Sequence, residues 1–254
     1  MKNKLIDLFH WQKMNLVALQ TNPSKDFKKN FANLKKLVKS CKDDSLILAP
    51  ELALSGYSYN NIQKAADFSK KAIKKLKKLS KNKAIALTLT IFKDGNYYNR
   101  FYIFYQKKII HTQDKYRLFK LGNEQKYFCK PKNDKKIEVY KIGNLKIATL
   151  ICFELRFTEY WDRLKGADII FVPAMWGKGR KEHFETLTKA LAIANQCYVV
   201  AANSAASYCC KSSCIINPFG EVIKDDSKKI LQSIFDEKNI KQMRKYIDVG
   251  IEYE

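Results

Sequence analysis

Two rhythms of apolar and polar residues alternate along this chain, and each predicts a kind of element. Phe27, Phe31, Leu34, Leu37 and Val38 recur at three- and four-residue spacing with lysines between them, which predicts a helix running to about Lys42 and capped by Ser24. Ile62, Ala65, Ala66, Ile73, Leu76 and Leu79 predict a second helix from Ile62 to Leu79, and shorter patterns predict helices at Glu159 to Leu164 and His183 to Asn195. Brief apolar runs predict strands at Met14 to Gln20, Leu46 to Ala49, Ala84 to Phe92, Arg100 to Tyr105 and Lys108 to His111. Further strands are predicted at Ile137 to Lys141, Lys146 to Ile151, Asp168 to Val172, Tyr198 to Ala202, Ser213 to Ile216 and Glu221 to Lys224. Asp94-Gly95-Asn96 is the turn of one hairpin and Asn217-Pro218-Phe219-Gly220 the turn of another, while Leu121 to Asp134 is a longer irregular stretch.

Helices that alternate with strands, interrupted by hairpins, predict an α/β fold of two mixed sheets facing each other with helices outside. At 254 residues, with no Gly-, Pro- or Ser-rich linker and no short-period repeat, the chain reads as a single domain over 1–254.

Charge changes the picture less than its size suggests. The formal net charge of +23 raises the question of nucleic acid, yet the lysines are spread along the sequence and no zinc-finger, RNP or basic-zipper pattern accompanies them. Clusters such as Lys70-Lys71, Lys74-Lys75 and Lys77-Lys78 fall on the polar side of one helix, so nucleic acid is not the expected partner. An anionic substrate would still be steered inward. Met1 to Gln12 lacks the unbroken apolar stretch of a signal peptide or membrane span, which predicts a cytoplasmic protein. Seven scattered cysteines without C-x-x-C spacing predict free thiols, and neither Cys209, Cys210 and Cys214 nor the dispersed His10, His111 and His183 makes a metal site.

Candidate chemistry lies where apolar strands stop at reactive groups. The run Thr149-Leu150-Ile151 breaks at Cys152, and a polar, amphipathic run begins with Phe153-Glu154-Leu155-Arg156. A thiol at such a junction lies near backbone N–H groups that can stabilise a thiolate or an oxyanion. Leu46 to Ala49 ends close to Glu51, and another strand ends at Asp114-Lys115. Buried charges are costly unless paired, so two of them at apolar strand ends point to a reactive cleft. Glu51 would take the thiol proton, desolvation raising its pKa toward neutrality. Lys115 and the backbone N–H of Phe153 would meet a tetrahedral oxyanion. A structural ion pair is the plainer alternative.

These three positions, with Cys152-Phe153-Glu154-Leu155-Arg156-Phe157-Thr158-Glu159, Val172-Pro173-Ala174-Met175-Trp176 and Asn217-Pro218-Phe219-Gly220-Glu221, resemble the nitrilase superfamily of carbon-nitrogen hydrolases. The resemblance covers nearly the whole chain and implies a four-layer α-β-β-α sandwich and a Glu51-Lys115-Cys152 catalytic set. It also implies that Glu124 is an additional catalytic glutamate and that Tyr57, Phe153, Met175 and Trp176 line the substrate pocket. No cofactor is implied. Glu154 stands where Asp is usual, Thr158 where Pro is usual and Arg117 where His is common. Arg156 is expected to brace Glu154 or Glu159.

The function implied is hydrolysis of a small-molecule amide through a Cys152 thioester. The short chain, without a long C-terminal extension, is more similar to omega-amidases than to nitrilases, and a homodimer or higher homo-oligomer is expected. N-carbamoyl hydrolysis is the alternative within the superfamily, with nitrile hydrolysis behind it. A basic nucleic-acid-binding protein on an inactive hydrolase scaffold is the alternative outside it.

Overall fold

The structure is a computed structural model that describes residues 13–251; Met1 to Gln12, with His10, lie outside the described residues. Strand β1 (Lys13–Leu19) leads through α1 (Phe27–Ser40), β2 (Ser45–Leu48) and α2 (Ile62–Leu79) to β3 (Ala84–Lys93), and the hairpin strands β4 (Asn96–Tyr105) and β5 (Lys108–Asp114) follow. The second half runs β6 (Tyr140–Ile142), β7 (Leu145–Thr149), α3 (Thr158–Arg163), β8 (Ile169–Ala174), α4 (Lys181–Ala194) and β9 (Tyr198–Asn203). It closes with β10 (Cys214–Ile216), β11 (Val222–Lys224), β12 (Ile230–Asp236) and α5 (Glu237–Tyr246).

Two six-stranded sheets result, ordered β12-β1-β2-β3-β4-β5 and β11-β10-β9-β8-β7-β6. Both are mixed: β1, β2 and β3 are parallel in one and β7, β8 and β9 in the other, with antiparallel strands at the flanks. Strand alternation assigns the layers. Leu16 and Ala18 of β1 and Leu46 and Leu48 of β2 pack toward the second sheet, whereas Val17, Leu19 and Ile47 pack against Leu34, Val38, Ala72 and Leu76 of α1 and α2. Tyr160, Phe184 and Leu191 cover the second sheet from α3 and α4, which completes the α-β-β-α sandwich.

Local details depart from the sequence pattern for identifiable reasons. Asp26, not Ser24, caps α1: its Oδ1 accepts the N–H groups of Lys28 and Lys29 at 2.9 and 3.0 Å, where a carboxylate also meets the positive end of the helix. The β3–β4 turn holds Asp94 and Gly95 at φ of 50° and 76°, the double positive φ that a two-residue hairpin requires. Ile137 to Lys141 is mostly not a strand, because the Ile137 N–H closes a turn on the Asp134 carbonyl at 2.8 Å and only Tyr140–Ile142 reaches the β7 ladder. Strand β12 and helix α5 have no counterpart in the sequence reading. The former returns from the second half of the chain to pair antiparallel with β1 at the edge of the first sheet.

Candidate active site

The parallel strands β2, β7 and β8 end on the same side of the sandwich, and the segments that leave them meet there. Glu51 lies three residues past β2, its N–H donating to the Ala174 carbonyl of β8 at 3.2 Å, so the ends of the two sheets are tied together at this point. Leu52 follows with φ of 47°, and its N–H is held by the Thr88 hydroxyl at 2.7 Å, which turns the chain sharply and leaves the Glu51 side chain fully buried. Lys115 is the first residue after β5, and its N–H donates to the Asn99 carbonyl at 2.9 Å.

Glu51 Oε1 accepts from Lys115 Nζ at 2.8 Å and from Asn99 Nδ2 at 2.8 Å. Its other oxygen, Oε2, is buried without a hydrogen-bond partner among the described residues. Lys115 Nζ also donates to Glu124 Oε1 at 2.7 Å and to the Tyr57 hydroxyl at 3.2 Å, while Tyr57 donates to Glu124 Oε1. Glu124 Oε2 accepts the Phe119 N–H at 3.0 Å, which fixes the irregular segment to the cluster. Burial works against the Lys115 charge, but Glu124 and then Glu51 outweigh it and hold the ammonium well above its ordinary pKa.

Cys152 begins a short 3-10 turn, Cys152–Arg156, and takes φ of 54°, a backbone conformation that costs a non-glycine residue energy and persists where surroundings enforce it. The enforcing residue is Glu154. Fully buried, it accepts the Ile151 N–H at 2.7 Å on one oxygen and the Tyr116 and Arg117 N–H groups at 2.7 and 3.4 Å on the other. One side chain thus fastens the residue before Cys152 to the two residues after Lys115. Burial outweighs those donors and pushes the Glu154 carboxyl up to about 7.

The Cys152 thiol lies well above its ordinary pKa, first through burial and then through the charge of Glu51, with Lys115 opposing. Both effects favour the neutral thiol, the form from which Glu51 is expected to take a proton. A protonated thiol beside a carboxylate with one free oxygen is an arrangement for proton transfer at the moment of attack. Phe153, the next residue, is in the opening of the turn, where N–H groups lack partners within the turn.

The other expected pocket residues divide. Tyr57 joins the Lys115 cluster directly, Trp176 is buried with its backbone N–H on Asn203 Oδ1 at 2.7 Å, and half-buried Met175 receives the Tyr208 hydroxyl on its sulfur at 3.9 Å. The Phe153 ring packs on Phe119 and Phe157, with centroids 5.1 and 5.2 Å away, and is half-buried.

Arg156 does not brace a glutamate. Its guanidinium lies 4.6 Å from the Trp176 ring centroid and 2.9 Å from His183 Nδ1, and Arg117 takes Glu159 instead. Burial, and then the charge of nearby Arg180, lower the Arg156 pKa, with Cys152 as the opposing charge. Arg180 itself rests over Phe119 at 5.2 Å. Among the described residues neither guanidinium has a carboxylate partner.

Two contributors went unread in the sequence. Asn99 shares an inward strand face with Phe101 and Ile103, and a polar residue on that face was the available signal. Arg180 carried no signal, since it is a surface-type residue in a short Gly-Lys-Gly-Arg segment.

Residues 16–246 match the family described as carbon-nitrogen hydrolase. A 2-oxoglutaramate amidase of Bacillus subtilis (strain 168) is 30% identical over 235 residues, 85% of this chain and 89% of the relative. An omega-amidase of Escherichia coli (strain K12) is 28% identical over 65% of each chain. Among solved structures, a carbon-nitrogen hydrolase from Helicobacter pylori G27 superposes with a TM-score of 0.84 over 94% of each chain at 20% identity, a likeness of fold.

Proposed function

Since the chain belongs to the carbon-nitrogen hydrolase family and is an enzyme of that class, we propose that it hydrolyses the amide of a small carboxylate through a thioester on Cys152. The observation that carries the reading is the unpartnered Oε2 of Glu51, buried beside a neutral thiol, with Lys115 fixed on the other oxygen of the same carboxylate.

Glu51 takes the thiol proton as Cys152 Sγ bonds to the amide carbon, and the carbonyl oxygen becomes an oxyanion. Lys115 has its three N–H bonds committed, so one must be given up to receive that oxyanion. The bond to Tyr57 is the longest at 3.2 Å and ends on a neutral oxygen, which makes it the one exchanged. The Phe153 N–H supplies a second donor; losing one such donor typically costs about 3 kcal/mol of barrier. Glu51 returns the proton to the amide nitrogen, the carbon-nitrogen bond breaks, ammonia leaves and a thioester remains. Glu51 then draws a proton from water, whose oxygen attacks the thioester carbon, and passes it to the departing sulfur. The products are a carboxylate and the original thiol.

Arg156 and Arg180, two half-buried guanidiniums without carboxylate partners among the described residues, support an anionic substrate. The amidase relatives named for 2-oxoglutaramate and omega-amides support the same class. The test is ammonia release from 2-oxoglutaramate, from a neutral aliphatic amide and from an N-carbamoyl amino acid, with intact-protein mass spectrometry after acid quench. The expected result is preference for the anionic amide and an acyl mass on the Cys152 peptide that is absent in Cys152→Ala. Preference for the carbamoyl compound, or an adduct that persists in Cys152→Ala, overturns the reading.

A further inference from the structure

Part of the lysine excess that looks dispersed along the sequence is gathered by the fold. Helices α1 and α2 form the outer layer of the first sheet, and within Phe27–Ser40 and Ile62–Leu79 stand twelve lysines, all exposed, against one carboxylate, Asp67. That single layer carries a net +11 of the chain's +23. The three helices α3, α4 and α5 together hold seven cationic residues against five carboxylates, nearly neutral for a similar length of helix. Nearly half of the net charge is therefore concentrated on one face, and the remainder is spread over the rest of the chain.

We propose that this face docks on an anionic phospholipid bilayer. The shape favours a plane: two helices, about 21 and 27 Å long at 1.5 Å per residue, lie side by side on a sheet. The chemistry agrees. Neither helix contains arginine, the residue suited to bidentate phosphate and base contacts, whereas lysines act as mobile point charges that a leaflet of anionic headgroups attracts additively.

Between the helices a groove of about 560 Å³ has Phe31, Ala32 and Leu79 as its floor and Lys28, Lys35, Lys75 and Lys78 at its rim. The Lys75 ammonium stands 5.5 Å from the Phe31 ring centroid. Such a groove accepts a phosphate headgroup with the upper part of its glycerol backbone. No large exposed apolar side chain lies on either helix, so the attachment is electrostatic and reversible rather than inserted. The proposal is independent of the amide chemistry.

The test is co-sedimentation of the whole protein with phosphatidylglycerol–phosphatidylcholine vesicles and with pure phosphatidylcholine vesicles. A quadruple variant, Lys28→Gln, Lys35→Gln, Lys75→Gln and Lys78→Gln, is compared with an equal loss of charge elsewhere, Lys132→Gln, Lys135→Gln, Lys141→Gln and Lys238→Gln. The expected result is binding to anionic vesicles only, lost as salt rises from about 0.1 M and the Debye length shrinks below about 10 Å. The groove variant should bind roughly a hundredfold more weakly, with the control near the parent. Thermal melting checks that both variants fold. Equal weakening in the two variants reduces the effect to net charge and overturns the assignment. So does a parent that ignores anionic vesicles, or one that binds a DNA duplex through the same lysines while leaving vesicles unbound.

Discussion

Glu51 and Lys115 meet at 2.8 Å with neither side chain reaching solvent. Lys115 also answers Glu124 at 2.7 Å, so one ammonium separates two buried carboxylates. Breaking a buried pair by deleting one partner typically costs about 3–5 kcal/mol, because the remaining charge has no water to return to.

Lys115→Met should therefore be destabilised as well as inactive, with a loss of about 3–5 kcal/mol in urea unfolding. Adding Glu124→Gln removes one stranded charge and should recover part of that stability without restoring ammonia release. A single variant that melts like the parent would show that the two carboxylates are not held apart by the lysine.

Glu51→Gln keeps an Oε1 acceptor for Asn99 and Lys115 and removes the group able to take a proton. Turnover should fall by roughly 10²–10⁴ while the fold persists, the range general-base loss produces. Stopped-flow and quenched assays should find acylation and thioester hydrolysis both slowed. Turnover within about tenfold of the parent, in a folded variant, would remove Glu51 from the proton path.

A neutral resting thiol makes its own prediction. Alkylation of Cys152 by iodoacetamide should accelerate as pH rises through about 9 without levelling, because burial and Glu51 hold the thiol well above its ordinary pKa. Half-buried Cys129 is the internal comparison in peptide mapping. A Cys152 rate already on a plateau at neutral pH would reveal a preformed thiolate and contradict the concerted transfer.

His111 stacks on Tyr140 with ring centroids 3.6 Å apart, its Nε2 buried without a partner among the described residues. Burial, and then Lys136, depress its pKa from 6.5 to about 4, opposed by Gln113. An unfolded chain therefore binds this proton at higher pH than the folded one. The stability of the neutral ring is fully present above about pH 6.5 and is lost as pH falls toward about 4, by at most about 3 kcal/mol. Urea midpoints for the parent and His111→Phe should diverge across that window; parallel profiles would show that the ring protonates freely in the fold.

The strands and helices that bury one regular face were legible. The span of α2 from Ile62 to Leu79 is the one its apolar spacing predicts. Strand β12 was not, because an edge strand buries only Leu231 and Phe235 while Ile234 is 54% exposed, so its pattern lacks period two and its partner β1 is over two hundred residues away. At the candidate site, the carboxylate, ammonium and thiol that the fold brings together could be singled out from the sequence because reactive groups end apolar runs. What joins them could not. Asn99 looks like an outward polar residue between Tyr98 and Arg100 until the strand's register is known. The place of Arg156 depended on Trp176 and His183, which only the packing of β8 and α4 brings near.

The bond from the Glu51 N–H to the Ala174 carbonyl sits on a seam. Glu51 and Lys115 follow strands of one sheet and Cys152 a strand of the other, so neither half of the sandwich holds the whole of the proposed reaction centre. Turnover is then an assay of how the halves are seated. A partly melted protein that kept its helices and ladders but let the sheets slip by an ångström would look folded to far-ultraviolet light and be chemically silent. Inactivation should accordingly run ahead of the loss of secondary structure in mild denaturant, and the gap between the two curves measures how firmly the seam is closed.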